Sequence, residues 1–165
     1  MKFAEYDSPC GKLLLGVHGQ SISLCDWMIH DRVDRTLRRI DKYLTRKLER
    51  DDASLLDHAA NLLDAYFKGK LKTFDIPLSL CGTEFQRRVW KELLKVPYGT
   101  TTSYKTIAES VSLPSGTRAV ASAIGANPLS IFIPCHRIIG ADGALTGYAG
   151  GLDAKRYLLQ LESGN

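Results

Sequence analysis

The stretch NPLSIFIPCHRIIG, residues 127–140, sets Cys135 directly before His136 at the end of an almost wholly apolar run, with Pro134 just upstream. A free thiol is mostly protonated at neutral pH because its ordinary pKa is ~8.5. An adjacent imidazole can take that proton when a third group orients the ring. Neighbouring side chains of an extended strand point to opposite faces. Cys135 and His136 can therefore cooperate only if the backbone bends, and Pro134 with the NPLS turn gives it reason to. The orienting acid must come from elsewhere, and Glu162 on the last helix is a candidate. The same residues also read as a buried structural cysteine at a strand end. From residue types alone both readings stay open.

The elements that would carry this pair follow from pattern. KFAEYD alternates apolar and polar, and KLLLGVH and SISLCDWMI follow it across SPCG and GQ, which predicts an antiparallel three-stranded meander. Val33, Leu37, Ile40, Leu44 and Leu48 recur at helical spacing, so the charge-dense segment 31–52 is expected to be one amphipathic helix with a solvated face. Ser54 opens a second helix that ends at Gly69, and Pro77 keeps the stretch after it out of a helix or central strand. Two domains are expected, 1–78 and 79–165.

In the second, Thr83 and Gln86 stand at capping-box spacing before a helix whose Phe85, Val89, Leu93 and Val96 form a buried face. PYGT is a turn. SYKTIAESV and TRAVASAIGAN, separated by LPSG, fit a helix-turn-helix, a pattern also common in proteins that never touch DNA. GADGAL carries an Asp-Gly turn, and Asp153 is expected to cap a final helix.

Composition narrows the class. The 165 residues are 44% hydrophobic and 24% charged with a net charge of +4, which permits a polyanionic partner without requiring one. No apolar run is long, so neither a leader nor a membrane span is expected. The four cysteines, Cys10, Cys25, Cys81 and Cys135, show no CxxC spacing, so reduced thiols and a cytoplasmic (in a eukaryote, nuclear) location are expected. Cys10, His18, Cys25 and His30 are the ligand types available to a metal in the first domain, and no metal is expected there.

IPCHRIIG, with Asn127-Pro128 before it and GYAGG after it, resembles the active-site signature of the O6-alkylguanine-DNA alkyltransferases (methylated-DNA–protein-cysteine methyltransferases). The resemblance extends over FQRRVWKELLKVPYGTTTSYKTIAE, TRAVASAIGANP and KRYLLQLE, and more weakly over the opening DSPCGKL. It implies an α+β/α fold: a ribonuclease H-like lobe of antiparallel sheet plus helices, joined to a mostly helical, winged helix-turn-helix-like domain. It also implies DNA repair by a single irreversible transfer of an alkyl group from guanine O6, and from thymine O4, to Cys135, with no cofactor.

Within that resemblance His136 is the general base acting through water, Glu162 orients it, and Asn127 braces the turn. Tyr104, Pro134, Tyr148, Ala149 and Gly150 line the alkylguanine pocket, and Tyr104 delivers the proton to the leaving base. Because a base inside a duplex hides its O6 group, the nucleotide must be flipped out. Arg118 takes the vacated place, and Ala119, Ala123 and Gly125 let the helix approach the minor groove. Tyr104, Lys105, Gln86 and Ala141 match further DNA contacts. Ala149 stands where some relatives have Ser, which implies altered substrate tolerance. The implied partner is double-stranded DNA containing O6-alkylguanine, met by a monomer with no membrane association. Two alternatives are a non-catalytic alkylated-DNA binder of the same fold and a cysteine hydrolase. The first would lack the nucleophile, and the second would need an oxyanion hole that no motif here supplies.

Overall fold

The computed structural model describes residues 1–44 and 50–164, and divides into two compact units, Met1–Cys81 and Gly82–Asn165.

In the first unit β1 (Lys2–Ser8), β2 (Gly11–His18) and β3 (Ser21–Trp27) form the expected meander in the order β1-β2-β3. Register pairs Tyr6 with Leu13 and Leu15 with Cys25. One face of the sheet, with Leu13, Leu15 and Tyr6, turns toward α2 (Ser54–Phe67), whose Asp64 accepts a 2.7 Å hydrogen bond from the Tyr6 hydroxyl. The opposite face, with Leu24 and Asp26, turns toward α1 (Arg32–Ile40). Covering on both faces explains why β3 is buried along nearly its whole length instead of alternating. Beyond Pro77 the chain runs extended beside β3, where Ser79 N–H donates to Ile22 O at 2.9 Å.

The helix expected over 31–52 is shorter. α1 ends at Ile40 and a turn follows, while Leu48 and Glu49 lie outside the described residues. Ile40 is buried in a cluster with Leu24 and Cys81, with Val33, Leu37 and Leu44 around it. In the next turn Asp41, Lys42 and Tyr43 are exposed and Leu44 alone packs on the cluster, and a helix that loses most of its buried face loses the packing that sustains it.

The second unit is helical. α3 (Glu84–Leu93) begins with the full capping box: Thr83 Oγ1 accepts from Gln86 N–H, and Gln86 Oε1 accepts from Thr83 N–H. Val89, Trp90 and Leu93 are buried, and Phe85 is half-buried. The pair β4 (Thr102–Ser103) and β5 (Ile138–Ile139) is parallel and only two residues long. Between them lie α4 (Tyr104–Ser110), started by Ser103 as its cap, and α5 (Thr117–Gly125). Trp90 Nε1 donates to Ala123 O at 2.8 Å, tying α3 to α5. The final helix, α6 (Leu152–Ser163), starts from Gly151 at φ 87°, not from an Asp153 cap. Gly151 supplies a positive-φ entry that a side chain resists, so Asp153 falls inside the first turn and pairs with Arg156 at 3.1 Å.

Candidate active site

The chain enters the site through a tightly bonded turn. Asn127, 1% exposed, accepts from Leu129 N–H at 2.9 Å and donates its Nδ2 to Ile133 O at 3.1 Å, while Ile133 N–H donates to Leu129 O at 2.8 Å. These bonds hold Ile131 at φ 72°, a left-handed conformation that is unfavourable for a β-branched residue. No Gly or Asn marks that position, so sequence reasoning had no signal for it.

Past Pro134 the backbone curls into a single 3-10 turn, Cys135–Arg137, in which Cys135 N–H donates to Ile133 O and Arg137 N–H to Pro134 O. Successive residues of a 3-10 turn are set ~120° apart, not on opposite faces as in a strand. This is the bend that the adjacent Cys and His need. Cys135 is 5% exposed and His136 is fully buried.

Glu162, in the last turn of α6, reaches back to this turn. Its Oε1 lies 2.7 Å from His136 Nε2, and Arg137 donates to the same carboxylate through Nε and an Nη at 2.9 Å each. The second Nη of Arg137 donates to Val96 O at 2.7 Å, and the guanidinium lies 5.7 Å from the Tyr98 ring centroid. Burial alone would raise the Glu162 pKa, but hydrogen bonds and charge from His136 and Arg137 hold it down at about 2. The carboxylate is therefore ionised throughout the neutral range. Burial pushes the His136 pKa below its ordinary value against the opposing pull of Glu162, and the cations Arg137 and Lys155 lower it further. The ring rests neutral. With Nε2 donating to Glu162, its other nitrogen, Nδ1, is a buried acceptor with no protein hydrogen bond among the described residues.

Tyr148 stands edge-on to His136, ring centroids 6.4 Å apart. Ala149 and Gly150 continue its half-buried loop into α6. The Tyr104 hydroxyl, at the start of α4, accepts a 3.3 Å hydrogen bond from Thr146 on that loop. Arg118, Ala119 and Lys105 are exposed on α5 and α4, and Ala141 is exposed after β5. Gln86 is half-buried with its carbonyl used in the capping box, leaving only its amide nitrogen for another partner. Ala123 does not face outward as expected. It is 3% exposed, and the small outward residues of α5 are Ala119, Ser122 and Gly125, at a spacing of three. Cys10, His18, Cys25 and His30 do not converge: His18 approaches Asp51 at 3.6 Å, Cys25 is buried in β3, and His30 is exposed.

Sequence reasoning missed Arg137 and Lys155. An arginine beside a histidine reads as a solvated cation, yet Arg137 is buried. Lys155 had a signal. It shares one helical stripe with Leu158 and Glu162, at spacings of three and four, so a lysine stood where the core side of α6 had to be.

Comparison with known proteins places this arrangement in context. Residues 84–164 match the family model described as 6-O-methylguanine DNA methyltransferase, DNA binding domain, and residues 1–80 match its ribonuclease-like domain. A methylated-DNA–protein-cysteine methyltransferase of Mycobacterium bovis is 44% identical over 162 residues, covering 97% of this chain and 91% of that protein. One of Methanosarcina barkeri is 44% identical over 165 residues, covering 100% and 99%. The crystal structure of Mycobacterium tuberculosis OGT in complex with DNA is similar with a TM-score of 0.81 and 42% identity, over 98% of this chain and 92% of that one.

Proposed function

Since the chain belongs to the 6-O-methylguanine DNA methyltransferase family, we propose that it repairs O6-alkylguanine in DNA by moving the alkyl group irreversibly onto Cys135. The observation that carries this reading is the buried line from Glu162 to His136, which leaves Nδ1 as an unused acceptor on the residue next to the thiol.

In this mechanism His136 accepts the thiol proton through a water, and Glu162 keeps the ring in the tautomer that can do so. The Cys135 sulfur then attacks the alkyl carbon. The carbon–O6 bond breaks with its electron pair passing to the guanine, which takes up a proton from the Tyr104 hydroxyl. The proton held near His136 restores that hydroxyl through solvent, so the net change is the thiol proton to guanine and the alkyl group to sulfur. A thioether has no leaving group for water to displace, and each molecule reacts once.

Asn127 acts by fixing the turn, and Pro134, Tyr148, Ala149 and Gly150 form the wall of the base pocket. Arg118 fills the stack left by the flipped nucleotide. Ala119, with Ser122 and Gly125 beside it, gives α5 a low surface for close approach to a groove. Lys105, Ala141 and the free amide of Gln86 contact the backbone nearby.

Intact mass spectrometry after mixing the protein with a duplex containing O6-methylguanine tests this. One methyl group on Cys135, and guanine restored in the DNA, is the expected result. Binding without transfer would make the protein a lesion binder, and modification that turns over would make it a hydrolase.

A further inference from the structure

The chain between β5 and Tyr148 closes a loop on itself. Gly143 N–H donates to Gly140 O and Gly140 N–H to Ala144 O, both at 2.9 Å, and Asp142 Oδ1 accepts from Ala144 N–H at 3.0 Å. Lys155, fully buried on α6, fastens both ends of this loop, donating from Nζ to Ile138 O at 2.5 Å and to Thr146 O at 2.9 Å. With its carbonyl held, Thr146 has one stiff side-chain torsion left, because its Cβ is branched. The hydroxyl on that Cβ is the donor of the 3.3 Å bond to the Tyr104 phenol oxygen. Tyr104 is fixed from its own side as well. Ser103 Oγ caps α4 by accepting from Thr106 N–H at 3.1 Å, and β4 pairs with β5 directly before the tyrosine.

Folding gains little from this bond. Thr146 is exposed and Tyr104 half-buried, so water would serve either hydroxyl nearly as well. Its effect is directional. A phenol oxygen that accepts from Thr146 still has its own O–H to give, and that hydrogen must point away from the threonine. Resting on the alkyl-transfer reading above, we propose that Thr146 is a positioning residue for Tyr104. It holds the phenol so that its O–H is offered to the leaving guanine. The same hydrogen bond stabilises the negative charge left on the phenol oxygen as that proton departs. The proton that moves is the phenol's, and the Thr146 hydroxyl keeps its own. Lys155 acts one step further back, by fixing where Thr146 stands.

Single-turnover transfer from a duplex containing O6-methylguanine, followed at increasing DNA excess, separates a limiting rate from a half-saturating concentration. Thr146→Val keeps the branched shape and deletes the hydroxyl at an exposed position. It is expected to lower the limiting rate about fivefold, the weight of one neutral hydrogen bond, with the half-saturating concentration unchanged. Thr146→Ser is expected to keep the wild-type rate. In a Tyr104→Phe background Thr146→Val is expected to cost nothing further, because the bond it removes is already gone. An unchanged limiting rate in Thr146→Val overturns the proposal. So does an equal loss in the Tyr104→Phe background, which would make Thr146 a support of the loop and nothing more. Mass spectrometry of the wild type comes first. A Cys135 that gains no methyl group overturns the function and this proposal together, whereas wild-type transfer with an unaffected Thr146→Val overturns the proposal alone.

Discussion

Each unit buries a carboxylate against an arginine, and only one of the two clusters sits beside a nucleophile. In the first unit Asp26, fully buried, accepts from Trp27 N–H at 3.0 Å, Arg32 Nε at 2.7 Å and Thr36 Oγ1 at 2.7 Å. It ties α1 to β3. In the second, Glu162 accepts from Arg137 and His136 and ties α6 to the Cys135 turn. The clusters are near-equivalents as structural clamps, but their donors differ. An amide, a hydroxyl and a guanidinium neither gain nor lose protons in the working range, whereas an imidazole presents a second nitrogen to whatever lies beyond it. Function attaches to the clamp whose donor can hand a proton onward.

Substituting the two carboxylates in turn separates these roles most sharply. Glu162→Gln is expected to slow transfer to Cys135 by about 10²-fold, the range for lost general-base assistance, as read by single-turnover kinetics. Asp26→Asn is expected to leave the transfer rate within about twofold while lowering stability by about 2–4 kcal/mol, since the fully buried position then loses its ion pair with the half-buried Arg32. Chemical denaturation checks the second effect, and a comparable rate loss in both variants would erase the distinction.

Acid should expose the difference as well. His136 is held neutral by burial, so below its ordinary pKa of 6.5 the unfolded chain gains a proton that the folded one does not. Stability therefore declines as pH falls below about 6.5. Glu162, depressed from 4.5 to about 2, contributes stability above its ordinary pKa that is lost as pH falls through that interval. Melting temperatures measured across this range should show both losses, with His136→Gln removing the upper one and Glu162→Gln the lower. The smallest effect expected is at the cap of α3. Thr83→Ala loses one side-chain bond at the start of α3, about 1 kcal/mol, with no change in transfer rate.

Much of this was readable from local pattern. The meander, the Thr83 and Gln86 capping box and the Cys135–His136 adjacency are properties of a few neighbouring residues. Asn127 and Glu162 were placed by resemblance, and their contacts run 26 residues or fewer along the chain. The misreadings have physical causes. Periodicity continued past Ile40, but the next turn brings only Leu44 to the cluster beside three exposed residues, too little buried face to extend the helix. Ala123 reads as an outward small residue because composition does not say which side of a short helix Trp90 will cover.

What the sequence by itself determined is the inventory and its spacing: one thiol beside one imidazole, a proline and an asparagine to bend the chain, and helices of the right period to hold them. Which charges meet was decided by tertiary structure alone. Arg137 and Lys155 are ordinary surface residues by type, and they become the electrostatics of the site only because α6 folds back over the Cys135 turn, where water no longer screens them. Burial converts a residue's charge from a local property into an interaction among all its neighbours, and that cannot be read one segment at a time.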